Sequence, residues 1–214
     1  MSAVLDPARV PGVWRGGEVD AASPPGIPSG HARLDLELPG GGWPRGALTE
    51  ILHAGVGLGE VSLLFGALAR IASEGRTIAW INPPHLPYAP ALASAGVALD
   101  ACLVVRPATH EDALWSADQA LRSGACGAAL FWLTEKTDYA WLRRLQMAAE
   151  SGKALAVLFR PLAALSQASP AHLRLEIGSR GGNLTVKVPK RRGPPLHTPI
   201  TLRTPGRPAA RAAA

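Results

Sequence analysis

Residues Ala54-Gly55-Val56-Gly57-Leu58-Gly59-Glu60-Val61-Ser62 lie between an apolar segment, Ala47–Leu52, and an amphipathic one over residues 60–73. Glycines at a strand-to-helix turn leave backbone N–H groups aimed at one point, where an anion is favoured. Against the phosphate-loop pattern G-x-x-x-x-G-K-[ST], the run reads Ala54, four residues, Gly59, Glu60, Val61. The lysine that would hold the β- and γ-phosphates is a glutamate, and the hydroxyl that would hold magnesium is a valine. A unit charge pair about 4 Å apart is worth roughly 4 kcal/mol at an effective dielectric near 20, and this exchange removes one attraction and adds one repulsion. Backbone hydrogen bonds to a charged acceptor, about 1.5–3 kcal/mol each, fall short of offsetting both. A carboxylate is favoured near a helix N-terminus. Two readings of Glu60 stay open on the sequence: it occupies the anion site itself, or it is a solvated glutamate of the first helical turn.

The elements that must position this loop follow from hydrophobic periodicity. After the loop, Leu63, Leu64, Ala67, Leu68 and Ile71 recur at helical spacing. Thr77–Asn82 reads as a strand and is followed by the proline-rich loop Pro83-Pro84-His85-Leu86-Pro87. Residues 89–95 form a short helix, 103–105 a strand, 110–123 a helix with Ala113, Leu114, Ala117 and Leu121 on one face, and 127–133 a fully apolar strand. A helix over 138–151 and an apolar strand over 154–159 complete the series. Apolar strands alternating with helices predict a mostly parallel sheet covered on both faces. Beyond Pro170 the pattern changes to two alternating runs around Gly181-Gly182, an antiparallel hairpin, with Pro199–Leu202 as a further strand. Leu34-Asp35-Leu36-Glu37-Leu38 is a short apolar-alternating piece, and 39–46 a tight loop into the first core strand.

A length of 214 residues with 47% apolar content suits one domain plus tails. The reading divides the chain into an irregular Pro/Gly-rich arm over 1–26, a domain over 27–203 with its hairpin region at 171–203, and a disordered basic tail over 204–214. The opening residues Met1–Asp6 show no basic region or long apolar stretch, and the longest apolar runs, such as 124–133, reach about half a membrane span, so a cytoplasmic location is expected. Cys102 and Cys126 fall in or beside predicted core strands and read as small buried hydrophobes. The six histidines have no metal-ligand spacing with either cysteine, and neither a metal nor a cofactor is expected.

Charge is unevenly placed. Residues 1–173 carry 13 Lys/Arg against 15 Asp/Glu, whereas residues 174–214 carry nine cations against Glu176 alone. Such asymmetry points to a polyanion or an acidic partner, with a solvated basic tail as the alternative. The candidate contacts are Lys187, Lys190, Arg191 and Arg192, clustered after a strand, and Arg203, Arg207 and Arg211, which recur every four residues. Contacts of this kind read phosphates rather than sequence. Trp43, after three glycines, either packs over its loop or stands at a partner interface. Trp80, Trp115 and Trp132 lie on predicted core elements and read as packing residues.

The run Ile27-Pro28-Ser29-Gly30, Leu34-Asp35, Gly40-Gly41-Gly42-Trp43-Pro44-Arg45-Gly46 and Glu50-Ile51 resembles the entry to the RecA ATPase core. Within that superfamily the chain is most similar to the ImuA family, RecA-related accessory factors of damage-induced bacterial mutagenesis. The supporting motifs are residues 38–50, Pro83-Pro84-His85-Leu86-Pro87-Tyr88, Ala113-Leu114-Trp115, Leu121–Cys126, Arg143-Arg144-Leu145-Gln146 and Leu158-Phe159-Arg160-Pro161. The resemblance implies a RecA-like P-loop-type α/β core. It also exposes further losses. A RecA-type ATPase carries its catalytic glutamate after the strand aligned with Ala79–Asn82, where this chain has Pro83-Pro84, and ends its Walker B strand with an aspartate, where this chain has Phe131-Trp132. Hydrolysis needs the phosphate clamp, the metal anchor and the water-orienting acid together. The expected degenerate nucleotide site is therefore Ala54, Gly55, Gly57, Gly59, Glu60, Val61, Pro84 and Trp132, with no catalytic residue. The segments matching the DNA-binding loops of RecA, 134–137 and 160–169, are short and lack a basic groove and stacking residues.

The resemblance implies a non-catalytic adaptor of SOS-induced error-prone translesion DNA synthesis. Its partners would be a Y-family polymerase homologue (ImuB), an error-prone replicative-type DNA polymerase and RecA itself, with non-specific DNA contact and no membrane. Two alternatives stay open at this point: an SOS cell-division inhibitor of the SulA type, also RecA-like without ATPase residues, and an ATP-binding switch or weak ATPase whose Gly55, Gly57 and Gly59 still cradle a diphosphate.

Overall fold

The apolar runs become strands because only a sheet with both faces covered can bury every residue of such a run. The computed structural model describes residues 23–55, 57–133, 135–193 and 195–203. The strands are β1 (Ala47–His53), β2 (Thr77–Ile81), β3 (Cys102–Val105), β4 (Cys126–Trp132), β5 (Leu155–Pro161), β6 (Leu173–Arg180), β7 (Asn183–Lys190) and β8 (Leu196–Leu202). They form one sheet in the order β3-β2-β4-β5-β1-β6-β7-β8. The first six strands of that order run parallel, and β7 and β8 are antiparallel additions. Every residue of β1 and β4 is buried.

The helices are α1 (Ala32–Asp35), α2 (Phe65–Ser73), α3 (Ala89–Ser94), α4 (His110–Arg122) and α5 (Tyr139–Gly152). One cluster joins Ala67, Leu68 and Ile71 of α2 to Ile51, Trp80, Leu130 and Val157 of the sheet. On the opposite face Ala117 and Leu121 of α4 and Leu145 and Ala148 of α5 pack on Leu48, Phe131 and Leu158. Caps set the helix starts: the Thr109 hydroxyl accepts from the Asp112 amide at 3.0 Å, and the Asp138 carboxylate from the Trp141 amide at 2.8 Å. The β6–β7 turn falls at Gly181 and Gly182, both at positive φ (58° and 79°), as a two-residue hairpin requires.

Four local expectations are corrected. The alternating piece 34–38 is one helical turn, because Leu34 and Leu38, four apart, both face the core while Leu36 is exposed. The segment after the glycine loop starts as a 3₁₀ turn, Glu60–Leu64, before α2 begins. Trp115 is 58% exposed on α4 rather than a core residue, and Cys102 is only half-buried, on edge strand β3. Of the two readings left open for Trp43, packing holds and the interface does not: it is fully buried, bridges Ile27 and donates its indole N–H to the Leu63 carbonyl at 3.3 Å. Gly42 permits that bridge, since a Cβ there would strike the Ile27 carbonyl. Residues 1–22 of the expected arm and all of the expected tail, 204–214, lie outside the described residues.

The helix pair on one face is locked by Asp118. Its buried carboxylate accepts from Arg122 Nε at 3.0 Å and from Arg144 Nη2 of α5 at 2.9 Å. Burial alone would push its pKa up, but the hydrogen bonds and charges of Arg144 and Arg122 outweigh it and hold the group below the ordinary carboxylate value. A depressed folded-state pKa stabilises above the unfolded pKa, and the contribution is lost as pH falls through the folded one. Asp118→Asn is expected to cost about 1–2 kcal/mol at pH 7, the arginines being half-exposed. Urea titrations should show its gap from the wild type narrowing below about pH 4.

Candidate functional site

The carboxyl ends of β1, β2 and β4 carry the loops in which the sequence places its candidate site. β1 ends at His53, which is buried with its ring centroid 6.5 Å from that of Phe159. Ala54 and Gly55 are exposed, and the chain then turns through Gly57 (φ 80°) and Gly59 (φ 95°). Glu60 is only 4% exposed. Its Oε1 accepts from the Gly57 amide at 3.2 Å, and its Oε2 has no hydrogen-bond partner among the described residues. Glu60 therefore folds back onto the loop and is not a solvated first-turn glutamate. Val61 is half-buried, and Ser62 donates to the Gly59 carbonyl at 2.6 Å instead of facing the loop's centre. The 3₁₀ turn separates the loop from the first amide of α2.

Aromatic residues make the adjoining wall. Trp132 ends β4 and stacks on Phe159 of β5 (4.4 Å between centroids, 3° between planes) and more loosely on Trp80 of β2 (6.2 Å, 12°). Asn82, at φ 53°, donates its side-chain amide to the Trp132 carbonyl at 3.1 Å and so ties the end of β2 to the end of β4. Between the glycine loop and residues 83–88 lies a cavity of about 300 Å³. Its lining brings together Gly57, Gly59, Glu60, Val61, Pro84 and Trp132, six of the eight flagged positions; Ala54 and Gly55 stand outside it. Trp80, Leu86 and Tyr88 also line it and were not flagged. Among the described lining residues Glu60 is the one carboxylate, and no lysine or arginine is present to meet a phosphate. No group of three or more His, Cys, Asp or Glu among the described residues could hold a metal ion, and none of their helices is long and apolar enough to cross a membrane.

The connection after β5 is fastened inward. Glu50, wholly buried on β1, pairs with Arg174 Nε of β6 at 2.8 Å and Arg160 Nη1 of β5 at 3.4 Å, and accepts from Ser169 Oγ at 2.7 Å. Arg160 also donates to Gln167 Oε1, and Arg174 to the carbonyls of Ala164, Leu165 and Gln167. The cation of the 160–169 segment is thus turned into the core, where a nucleic-acid strand cannot meet it. Both guanidiniums depend on one carboxylate. Glu50→Ala is expected to lower stability by about 3–5 kcal/mol in urea denaturation, since it leaves buried charge unpaired.

Several of the C-terminal cations named as candidate contacts are engaged within the fold. Lys187 pairs with Glu176 at 2.8 Å, and Lys190 donates to the Ser169 carbonyl at 2.7 Å, with burial pushing its pKa down. Arg191 pairs with Glu37 at 2.8 Å and donates to its carbonyl at 2.6 Å. Arg192 is half-buried at the opposite end of the sheet, in a cavity shared with His172 and Lys153. Arg203 is exposed, while Arg207 and Arg211 lie outside the described residues.

A mostly parallel α/β sheet with a glycine turn after β1 and its candidate cavity at the strands' carboxyl ends defines a nucleotide-binding type of core. The family model of the RecA N-terminal domain matches residues 12–131, and the chain belongs to that family. It is 37% identical over 102 residues to "Protein RecA" of Acholeplasma laidlawii, a match covering 46% of this chain and 30% of the relative. It is 34% identical over 113 residues to Protein RecA of Cutibacterium acnes, covering 53% of this chain and 32% of the relative. The matched region therefore spans about a third of the length of these curated relatives. Among solved structures, the crystal structure of SulA from Pseudomonas aeruginosa matches at 25% identity and a TM-score of 0.43, covering 53% of this chain and 97% of that one.

Proposed function

We propose that this RecA-family chain is a non-catalytic accessory protein of the ImuA kind, acting as an adaptor in SOS-induced, error-prone translesion DNA synthesis. The observation that carries the reading is the position of Glu60. Its carboxylate takes the Gly57 amide that a phosphate oxygen would need, and it repels a phosphate placed beside it. Val61, Pro84 and Trp132 stand where a RecA-type ATPase keeps its metal-anchoring hydroxyl, its water-orienting acid and its Walker B aspartate. One such loss is open to compensation by a neighbour, but the described lining residues include no lysine or arginine. The inward fastening of 160–169 argues in the same direction, because it removes a loop free to follow a DNA strand.

In this reading the partners are a Y-family polymerase homologue of the ImuB kind, an error-prone replicative-type polymerase and RecA itself. Any DNA contact would fall to Arg203 with Arg207 and Arg211, would read phosphates, and would weaken steeply with salt. The protein is expected to give no magnesium-dependent heat of ATP binding in calorimetry and no turnover, and to co-purify with the polymerase homologue whether or not ATP is present. Hydrolysis that disappears on altering Gly59 would overturn the reading.

A further inference from the structure

The cavity beside Glu60 has lost the means to hold a phosphate, yet it is not closed. Its lining is mostly apolar, with His85 and Tyr88 adding polar atoms. Two kinds of buried group in it are without a partner among the described residues: the carboxylate oxygen Glu60 Oε2, and the indole nitrogens of Trp132 and Trp80, donors with no acceptor. A buried charged or polar group left unmatched is costly, so a ligand that satisfies both gains more than its apolar contact alone. The two groups ask for different things. The carboxylate asks for a cation, and the indole N–H asks for a carbonyl oxygen. One molecule carrying both, in an apolar setting, is a peptide with a basic side chain.

The rim favours a macromolecular ligand over a metabolite. Leu86 and Tyr88, 66% and 72% exposed, extend the apolar surface outward from the cavity mouth. Pro83, Pro84 and Pro87 make one wall with little conformational freedom to lose. Aromatic-lined grooves recognise extended, polyproline-like segments, whose carbonyls are not engaged in internal hydrogen bonds, and here Trp80, Trp132 and Tyr88 supply the aromatics.

We infer that the disarmed nucleotide site is a docking pocket for an extended segment of a partner protein, with an arginine or lysine of that segment paired to Glu60 Oε2 and a neighbouring backbone carbonyl taking the Trp132 N–H. The inference rests on the non-catalytic reading of the loop and adds to it the chemistry of the partner: a basic residue flanked by apolar or proline residues.

The test uses the full chain and three end-capped nonapeptides of the form Ala-Pro-Leu-Pro-X-Pro-Leu-Pro-Ala, with X arginine, its neutral near-isostere citrulline, or glutamate. Binding is followed by tryptophan fluorescence and by calorimetry, with ATP and magnesium titrated in parallel. The arginine peptide should bind at least about tenfold more tightly than the citrulline peptide, and the glutamate peptide not at all. In Glu60→Gln, which keeps an acceptor for the Gly57 amide, the preference for arginine should vanish while the denaturation midpoint stays within reach of the wild type. Trp132→Phe, which keeps the stack and removes the donor, should weaken all binding severalfold. Equal binding of arginine and citrulline peptides, a preference that survives Glu60→Gln, or no binding of any peptide overturns the inference. Absence of peptide binding together with absence of ATP binding leaves the non-catalytic reading standing, whereas ATP binding removes that reading whatever the peptides do.

Discussion

The Glu60 carboxylate lies 3.2 Å from the Gly57 amide, inside a turn whose backbone is shaped to receive an anion. A covalently tethered anion has an advantage over a free one, because it loses almost no translational freedom on binding. It is therefore always in place, and a nucleotide would have to displace it and then meet its charge. The neighbouring architecture follows from this. On the non-catalytic reading there is no phosphate to hold, and no load falls on position 61, on the residues beyond β2 or on the end of β4, where this chain has Val61, Pro83-Pro84 and Trp132. Apolar side chains at those positions stabilise the sheet end instead: Trp132 stacks flat on Phe159, and Pro83 is buried.

A second constraint acts beside the loop, on the same strand. Among the described residues Glu50 is the one carboxylate paired with the two buried guanidiniums, so β1, β5, β6 and the 162–169 connection hold together as one unit. Buried ion pairs seldom add net stability over apolar residues of the same volume. Their effect here is geometric: the connection after β5 has one place to lie. That place also draws Lys190 onto the Ser169 carbonyl. The two glutamates of this region thus act in opposite senses, Glu50 with its charge matched and Glu60 with one oxygen unmatched.

Much of this was legible in the sequence, and the reasons differ by element. The parallel strands were readable because a run such as Gly127–Leu133 has no polar face to turn to water. That Glu60 and Val61 stand at the lysine and hydroxyl positions of the phosphate-loop pattern was readable because it depends on residue type at fixed spacing within nine residues. The choice between packing and an interface stayed open for Trp43 because the bridge that fixes it is to Ile27, sixteen residues away. Trp115 carried its own warning, since it falls off the face defined by Ala113, Leu114, Ala117 and Leu121. The ion pairs within the basic cluster were not legible because a charge count sees Lys187 and Arg191 but not the partners, Glu176 and Glu37, that the fold brings to them. The aromatic wall was invisible for the same reason: Trp132 faces Phe159 only through the β4–β5 register.

A nucleotide-gated protein changes partners because its ligand binds one conformation better than another, and a ligand can shift an equilibrium only by that difference in affinity. In the non-catalytic reading, filling the anion position with a side chain removes the ligand and with it the difference. The surfaces around β2 and β4 are then held in one arrangement, tied by the Asn82 bond to the Trp132 carbonyl at 3.1 Å. In the adaptor reading, association with a partner depends on how much of each protein is present and on the partner's own segment, not on the ratio of ATP to ADP. Control must then enter through synthesis of the chain. A damage-induced accessory factor meets that requirement, since its concentration is itself the signal.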